Sequence, residues 1–206
     1  MKNIVNKYLS FRFFPITVLA LISLIIIYPC AKFLPESFGY ENGFFENLQM
    51  VVLFISCYFT LSAKTENKFF KFIFLVLSIL ILREINCGRT IFFPIEGQEN
   101  AFYSVSMLKQ GTTIQQTFAK LVHPVFGWYI GLVGLYFLFN KMWLNLINII
   151  KTIKFPVINI LLLIIGIVLG LFAEKNLNNL LFEELAELLF YVSLMGMIYL
   201  YSRKKI

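Results

Sequence analysis

Residues 155–173 read FPVINILLLIIGIVLGLFA, a run that holds one asparagine and two glycines but no charged side chain. A helix needs about 20 mainly apolar residues to cross roughly 30 Å of hydrocarbon. The run therefore predicts a membrane-spanning helix over 155–174, closed by Glu174. Outward along the chain, 13–32 and 121–140 carry the same signature, with Lys32 ending the first and His123 near the start of the second. Three further segments qualify with charge confined to their ends: 46–63 behind Glu46, 69–86 with Lys71 near its start and Arg83 and Glu84 near its close, and 183–202 entered through Glu183, Glu184 and Glu187. The fold class that follows is all-α: a polytopic bundle of six transmembrane helices, forming one integral membrane domain over 1–206 with an outer loop at 87–120.

Composition agrees. The 206 residues are 59% hydrophobic and 14% charged, against roughly 45–50% and about 25% for a soluble domain. With 24 phenylalanines and a mean hydropathy of +0.80, a chain of 24.0 kDa has too little interior to hide its apolar surface from water. The lipid bilayer is the expected partner.

A net charge of +7 would suggest nucleic acid in a soluble protein, but here the basic residues sit in short clusters between apolar runs, so no nucleic-acid partner is expected. With the N-terminus inside, the inner segments hold Lys2, Lys7 and Arg12, then Lys64, Lys68 and Lys71, then Lys141, Lys151 and Lys154, then Arg203, Lys204 and Lys205. The longer outer segments hold only Lys32, Arg83, Arg89, Lys109, Lys120 and Lys175. The positive-inside rule then places both termini in the cytoplasm. Lys2, Lys7 and Arg12 also precede the first run as they would in a secretion signal. That run ends in Tyr28-Pro29-Cys30-Ala31, which offers no small-x-small cleavage site, so it is read as an anchor. Abundant Lys, Asn, Ile and Phe with scarce Arg suggest AT-rich codons and a bacterial inner membrane.

In the outer loop, Pro94-Ile95-Glu96-Gly97 predicts a turn. The polar and apolar residues of 112–121 interleave as in a helix lying on the membrane surface. His123 and Pro124 are then expected in the first turn of the fourth span. Gly127, Gly131 and Gly134 share one helix face, as do Gly166 and Gly170. Such faces pack helices within a bundle and also serve homo- or hetero-oligomers. Tyr28, Trp128, Trp143, Tyr199 and Tyr201 are expected near span ends, as interfacial belts. Cys57 is expected as a buried thiol, whereas Cys30 and Cys87 share the outer level, and the sequence leaves open whether they are bonded.

All eleven acidic residues are glutamates, and the topology puts ten of them outside, with Glu66 alone inside. Span length sets their depth. The uncharged stretch 188–202 is roughly 22 Å long and 72–82 roughly 16 Å, both short of a bilayer core. Glu187, Glu183 and Glu184 are thus drawn toward the membrane, as are Arg83 and Glu84. Ionisable groups at such depth face the bundle interior and pair with one another. Arg83 has Glu187 and Glu46 as candidate partners. The candidate ligand-binding set is Glu41, Glu46, Arg83, Glu84, Arg89, His123, Glu174, Glu183, Glu184 and Glu187, forming one outward polar pocket.

No GxSxG, HExxH, phosphate-binding glycine loop, CxxC or dinucleotide fingerprint is present, and one histidine with three scattered cysteines offers no zinc cage. Neither a cofactor nor a metal is expected. The first functional reading is a pocket that binds or transports a cation, a zwitterion or a lipid head group. The second is an enzyme acting on a lipid or lipid-linked substrate at the outer face, with Glu187 or Glu184 as base, Arg83 and Arg89 on a phosphate, and His123 as acid. The third is an accessory subunit that meets its partner through a glycine face.

Overall fold

The computed structural model describes residues 9–40, 43–63, 68–93, 95, 103–144, 146, 154–177 and 179–204. Among the described residues the regular structure is helical apart from a two-residue parallel bridge, β1 (Leu9–Ser10) beside β2 (Phe155–Pro156), with Leu9 opposite Phe155 and Ser10 opposite Pro156. The helices are α1 (Pro15–Phe33), α2 (Phe44–Leu61), α3 (Lys68–Glu84), α4 (Arg89–Phe92), α5 (Val105–Leu108), α6 (Thr113–Phe139), α7 (Val157–Phe172) and α8 (Leu180–Ser202). Among the described residues, five helical stretches are long and apolar enough to cross a membrane: α1, the stretch Glu36–Leu61 that holds α2, α6, the stretch Val157–Leu177 that holds α7, and α8. They fit a membrane protein. The expected span at 69–86 is the 17-residue α3, which carries Arg83 and Glu84 in its last turn.

Local chemistry sets the ends. Pro15 stands in the first turn of α1, where a missing N–H does no harm, and Pro35 follows its C-cap, Leu34. Asn179 caps α8 by accepting from the Phe182 N–H at 2.9 Å, so this helix starts three residues before the expected 183. A one-turn π-helix, Ala173–Leu177, closes the path from α7 to α8. After α3, Asn86, Cys87 and Gly88 take φ of 46°, 55° and 89°, a left-handed run that turns the chain sharply into α4.

The expectation of a separate surface helix over 112–121 is overturned. Thr112 and Gln115 form a reciprocal capping box that starts α6 there, and the helix runs unbroken to Phe139. His123 and Pro124 are therefore interior positions of α6 rather than its first turn, and Trp128 lies mid-helix rather than at an end. The expected turn at 94–97 and the positions Glu41, Glu66, Lys151 and Asn178 fall outside the described residues, apart from Ile95.

At the centre is α8, mostly buried against α1, α2 and α7. The next layer is α3, resting on α2, and α6 in turn leans on α3, with little of its length buried. Polar clasps join the layers: Thr17 Oγ1 donates to Asn159 Oδ1 at 2.7 Å between α1 and α7, and the Ser78 and Tyr129 hydroxyls meet at 2.5 Å between α3 and α6. The two glycine faces differ. A Cβ on Gly166 would lie 2.8 Å from the Phe190 backbone N, so Gly166 lets α7 and α8 touch. Gly127, Gly131 and Gly134 have nothing within 4 Å, so the internal packing expected of them does not occur; they face away from the bundle. Cys30, Cys57 and Cys87 are all free thiols, with Cys57 buried as expected.

Successive long helices alternate in direction, which gives the bundle two chemically distinct ends. One end gathers the close of α3 and α7 with the start of α2 and α8, and every described glutamate lies there. At the other end Arg203 donates to Ser62 O at 3.2 Å and to Ser62 Oγ at 3.0 Å, tying the last turn of α8 to the close of α2.

Candidate functional site

Arg83 ends α3, and its Nη2 donates to Glu187 Oε1 of α8 at 2.6 Å. Of the two partners the sequence offered this arginine, the structure selects Glu187. Arg83 Nε also stands 3.6 Å from Glu84 Oε1. The Glu84 carboxylate is buried and accepts a hydrogen bond of 2.5 Å from the Tyr191 hydroxyl, one helical turn beyond Glu187 on α8. A chain of charge-assisted bonds thus runs from α8 to α3 and back.

Glu46 and Gln49 sit one turn apart near the start of α2, and both are buried. Gln49 Nε2 donates to Glu184 Oε2 at 2.7 Å and to the Glu184 backbone O at 2.9 Å, which fastens α2 to the first turns of α8. Glu46, Glu84 and Glu187 all lie close enough for their charge to act on Glu184. Spacing explains the gathering: positions 184, 187 and 191 share one face of a helix.

Beside this network, α3, α7 and α8 enclose a cleft of about 210 Å³. Arg83, Glu174, Glu183 and Glu187 stand at its mouth. One to two turns further along α7 and α8, its walls are Gly166, Ile167, Gly170, Leu171, Phe190 and Tyr191, apolar but for the Tyr191 hydroxyl that is bonded to Glu84. Among the described residues no ion pair reaches Glu174 or Glu183, while the Arg83 side chain is 57% exposed, with donors left over beyond its bond to Glu187. A larger hollow of about 380 Å³ between α3 and α6 is lined by aromatic and aliphatic side chains with Cys87 at its edge. It offers little polar chemistry. Burial pushes the Cys87 thiol up, and the neighbouring Arg89 guanidinium opposes that shift.

Two expected members stand apart. Arg89 folds back onto Asn86, donating from Nε to the backbone O at 3.3 Å and from Nη2 to Oδ1 at 3.0 Å, and does not line the cleft. The left-handed turn at 86–88 directs it there, so the Arg83–Arg89 grip on a phosphate is not formed. His123 is exposed on α6, whose main contacts are α3 and α5, and it does not line the cleft either. Glu41 lies outside the described residues. Tyr191 was not among the expected residues, although its place four residues after Glu187 could have suggested it. Among the described residues no three His, Cys, Asp or Glu side chains come together as a metal site. Comparison with protein-family models, with curated proteins and with solved structures gives no match.

Proposed function

We propose that this chain is a bacterial inner-membrane protein of six spans with both termini cytoplasmic, and that its outward cleft binds a zwitterionic phospholipid bearing a primary ammonium. The single observation that carries the reading is the layering of the cleft. A mouth of one arginine and three glutamates stands above walls of glycine, leucine, isoleucine and phenylalanine with one tyrosine, Tyr191. An amphiphile matches both layers. The spare donors of Arg83 suit the phosphate, the carboxylates of Glu174 and Glu183 suit the ammonium, and an acyl chain suits the groove beside Gly166 and Gly170.

The gathering of the glutamates at one end of the bundle, with the denser basic clusters of the sequence on the other side, supports the orientation. The sixth crossing is α3. At 1.5 Å per residue it is roughly 25 Å long, so a crossing by α3 leaves Arg83 and Glu84 within the membrane boundary, where pairing such as theirs is needed. The enzyme reading loses the second arginine of its phosphate grip. The accessory-subunit reading keeps one observation in its favour, the open Gly127, Gly131 and Gly134 face of α6.

Native mass spectrometry of the full chain, with phosphatidylethanolamine and phosphatidylglycerol in competition, tests the proposal. Preferential retention of phosphatidylethanolamine is expected, falling at least about tenfold in a Glu174→Gln/Glu183→Gln variant because each lost charge-assisted bond is worth about 1.5 kcal/mol or more. Equal retention of both lipids, or a variant that binds like the parent chain, contradicts it.

A further inference from the structure

Gln49 is wholly buried, and only one end of its amide is matched. Its Nε2 holds Glu184 by two hydrogen bonds, whereas its Oε1 is buried with no hydrogen-bond partner. Around it stand acceptors. Glu46 lies one turn before it on α2, Glu184 faces it from α8, and the charges that reach Glu184 are those of Glu46, Glu84 and Glu187. Of these, Glu187 has Arg83 and Glu84 has Tyr191 and Arg83. No described cation pairs with Glu184, and the described residues bring together no three ligands for a metal ion. A buried acceptor among carboxylates calls for a donor, and the smallest counter-charge that also supplies one is a proton.

We propose that Glu184 is a proton-binding site and that Gln49 is the amide serving both of its charge states. With Glu184 ionised, Gln49 Nε2 donates to the carboxylate, as observed. When a proton binds, the carboxylate becomes a carboxylic acid whose O–H is a donor, and the amide turns over so that Oε1 accepts from it. The two ends of a glutamine amide have nearly the same shape, so the turn needs no repacking around Gln49, and it exchanges the bond from Nε2 to the Glu184 backbone O for the one from the acid O–H. Glu184 lies beside Glu183 and three residues from Glu187, so its proton alters the field at the mouth of the cleft. The site stands whether or not the cleft takes a lipid.

Dicyclohexylcarbodiimide, which modifies protonated carboxyls in apolar surroundings, tests this on the full chain in phosphatidylcholine nanodiscs, with peptide mass mapping across a pH series. An adduct at Glu184 is expected, declining as pH rises and absent from Glu184→Gln. In Gln49→Leu the ionised form loses a charge-assisted donor and the acid only a neutral acceptor, and since the first is worth about twice the second, the decline is expected at higher pH, by up to about one unit. Because the Gln49→Leu shift is read at Glu184 itself, the test survives a Glu184→Gln variant that fails to fold. No adduct at Glu184 at any pH overturns the proposal, as does a decline that ignores Gln49→Leu. Protection of Glu184 by sodium ions at fixed pH also overturns it, because the ligand is then a metal cation.

Discussion

Gly166→Ile is expected to leave almost no folded protein, whereas Gly131→Ile is expected to be tolerated. The first added Cβ would stand 2.8 Å from the Phe190 backbone N and 3.0 Å from its Cα. Backbone atoms cannot rotate away as a side chain can, so α7 and α8 would have to separate along the largest helix–helix contact in the bundle. Overpacking a core typically costs about 1–3 kcal/mol, and a β-branched side chain driven into a backbone belongs above that range. Gly131 has nothing within 4 Å and sits on the outermost helix. Fluorescence-detected size exclusion of both variants in one detergent checks the contrast. A monodisperse Gly166→Ile peak as strong as that of the parent chain would mean that the two helices do not meet as described.

Arg83→Ala is expected to lower thermal stability sharply, and Arg83→Ala/Glu187→Leu to recover most of the loss. The single change takes the cation from Glu187 and from beside Glu84 while leaving both carboxylates at membrane depth, where an uncompensated charge costs from about 2.5 kcal/mol upward. Removing one partner of such a pair is worse than replacing both with apolar side chains, because the second change also removes the stranded charge. Thermal aggregation midpoints of the two variants measure the difference. A double variant no more stable than Arg83→Ala would show that Glu187 does not depend on this arginine.

Much of the architecture was legible because lipid as solvent leaves a simple trace: long uncharged runs, with glutamates gathered at one end and the denser basic clusters at the other. The pairing of Arg83 with Glu187 was half legible. Depth demanded a partner, but choosing between Glu187 and Glu46 required knowing that the close of α3 meets α8 at that level. The start of α6 was misplaced because the span was bounded by its uncharged residues. Helix boundaries answer to backbone hydrogen bonding, and Thr112 with Gln115 supplies the cap eight residues before Lys120. His123 was assigned to the polar cluster from its level along a span, yet level says nothing of azimuth, and α6 turns it outward. Arg89 was lost to the cleft through the left-handed turn at 86–88, of which Gly88 is the only strong local sign.

In the proposed orientation the glutamate-rich mouth of the cleft opens on the outer face of the membrane. Single cysteines at Glu174, Glu183 and Lys154, placed in a chain whose three native cysteines are alanine, test it directly in intact cells with a membrane-impermeant maleimide. Glu174→Cys and Glu183→Cys are predicted to label from outside at once, and Lys154→Cys only after the cells are permeabilised. Labelling of Lys154→Cys in intact cells, or of the two cleft positions only after permeabilisation, would invert the protein in the membrane and contradict the account.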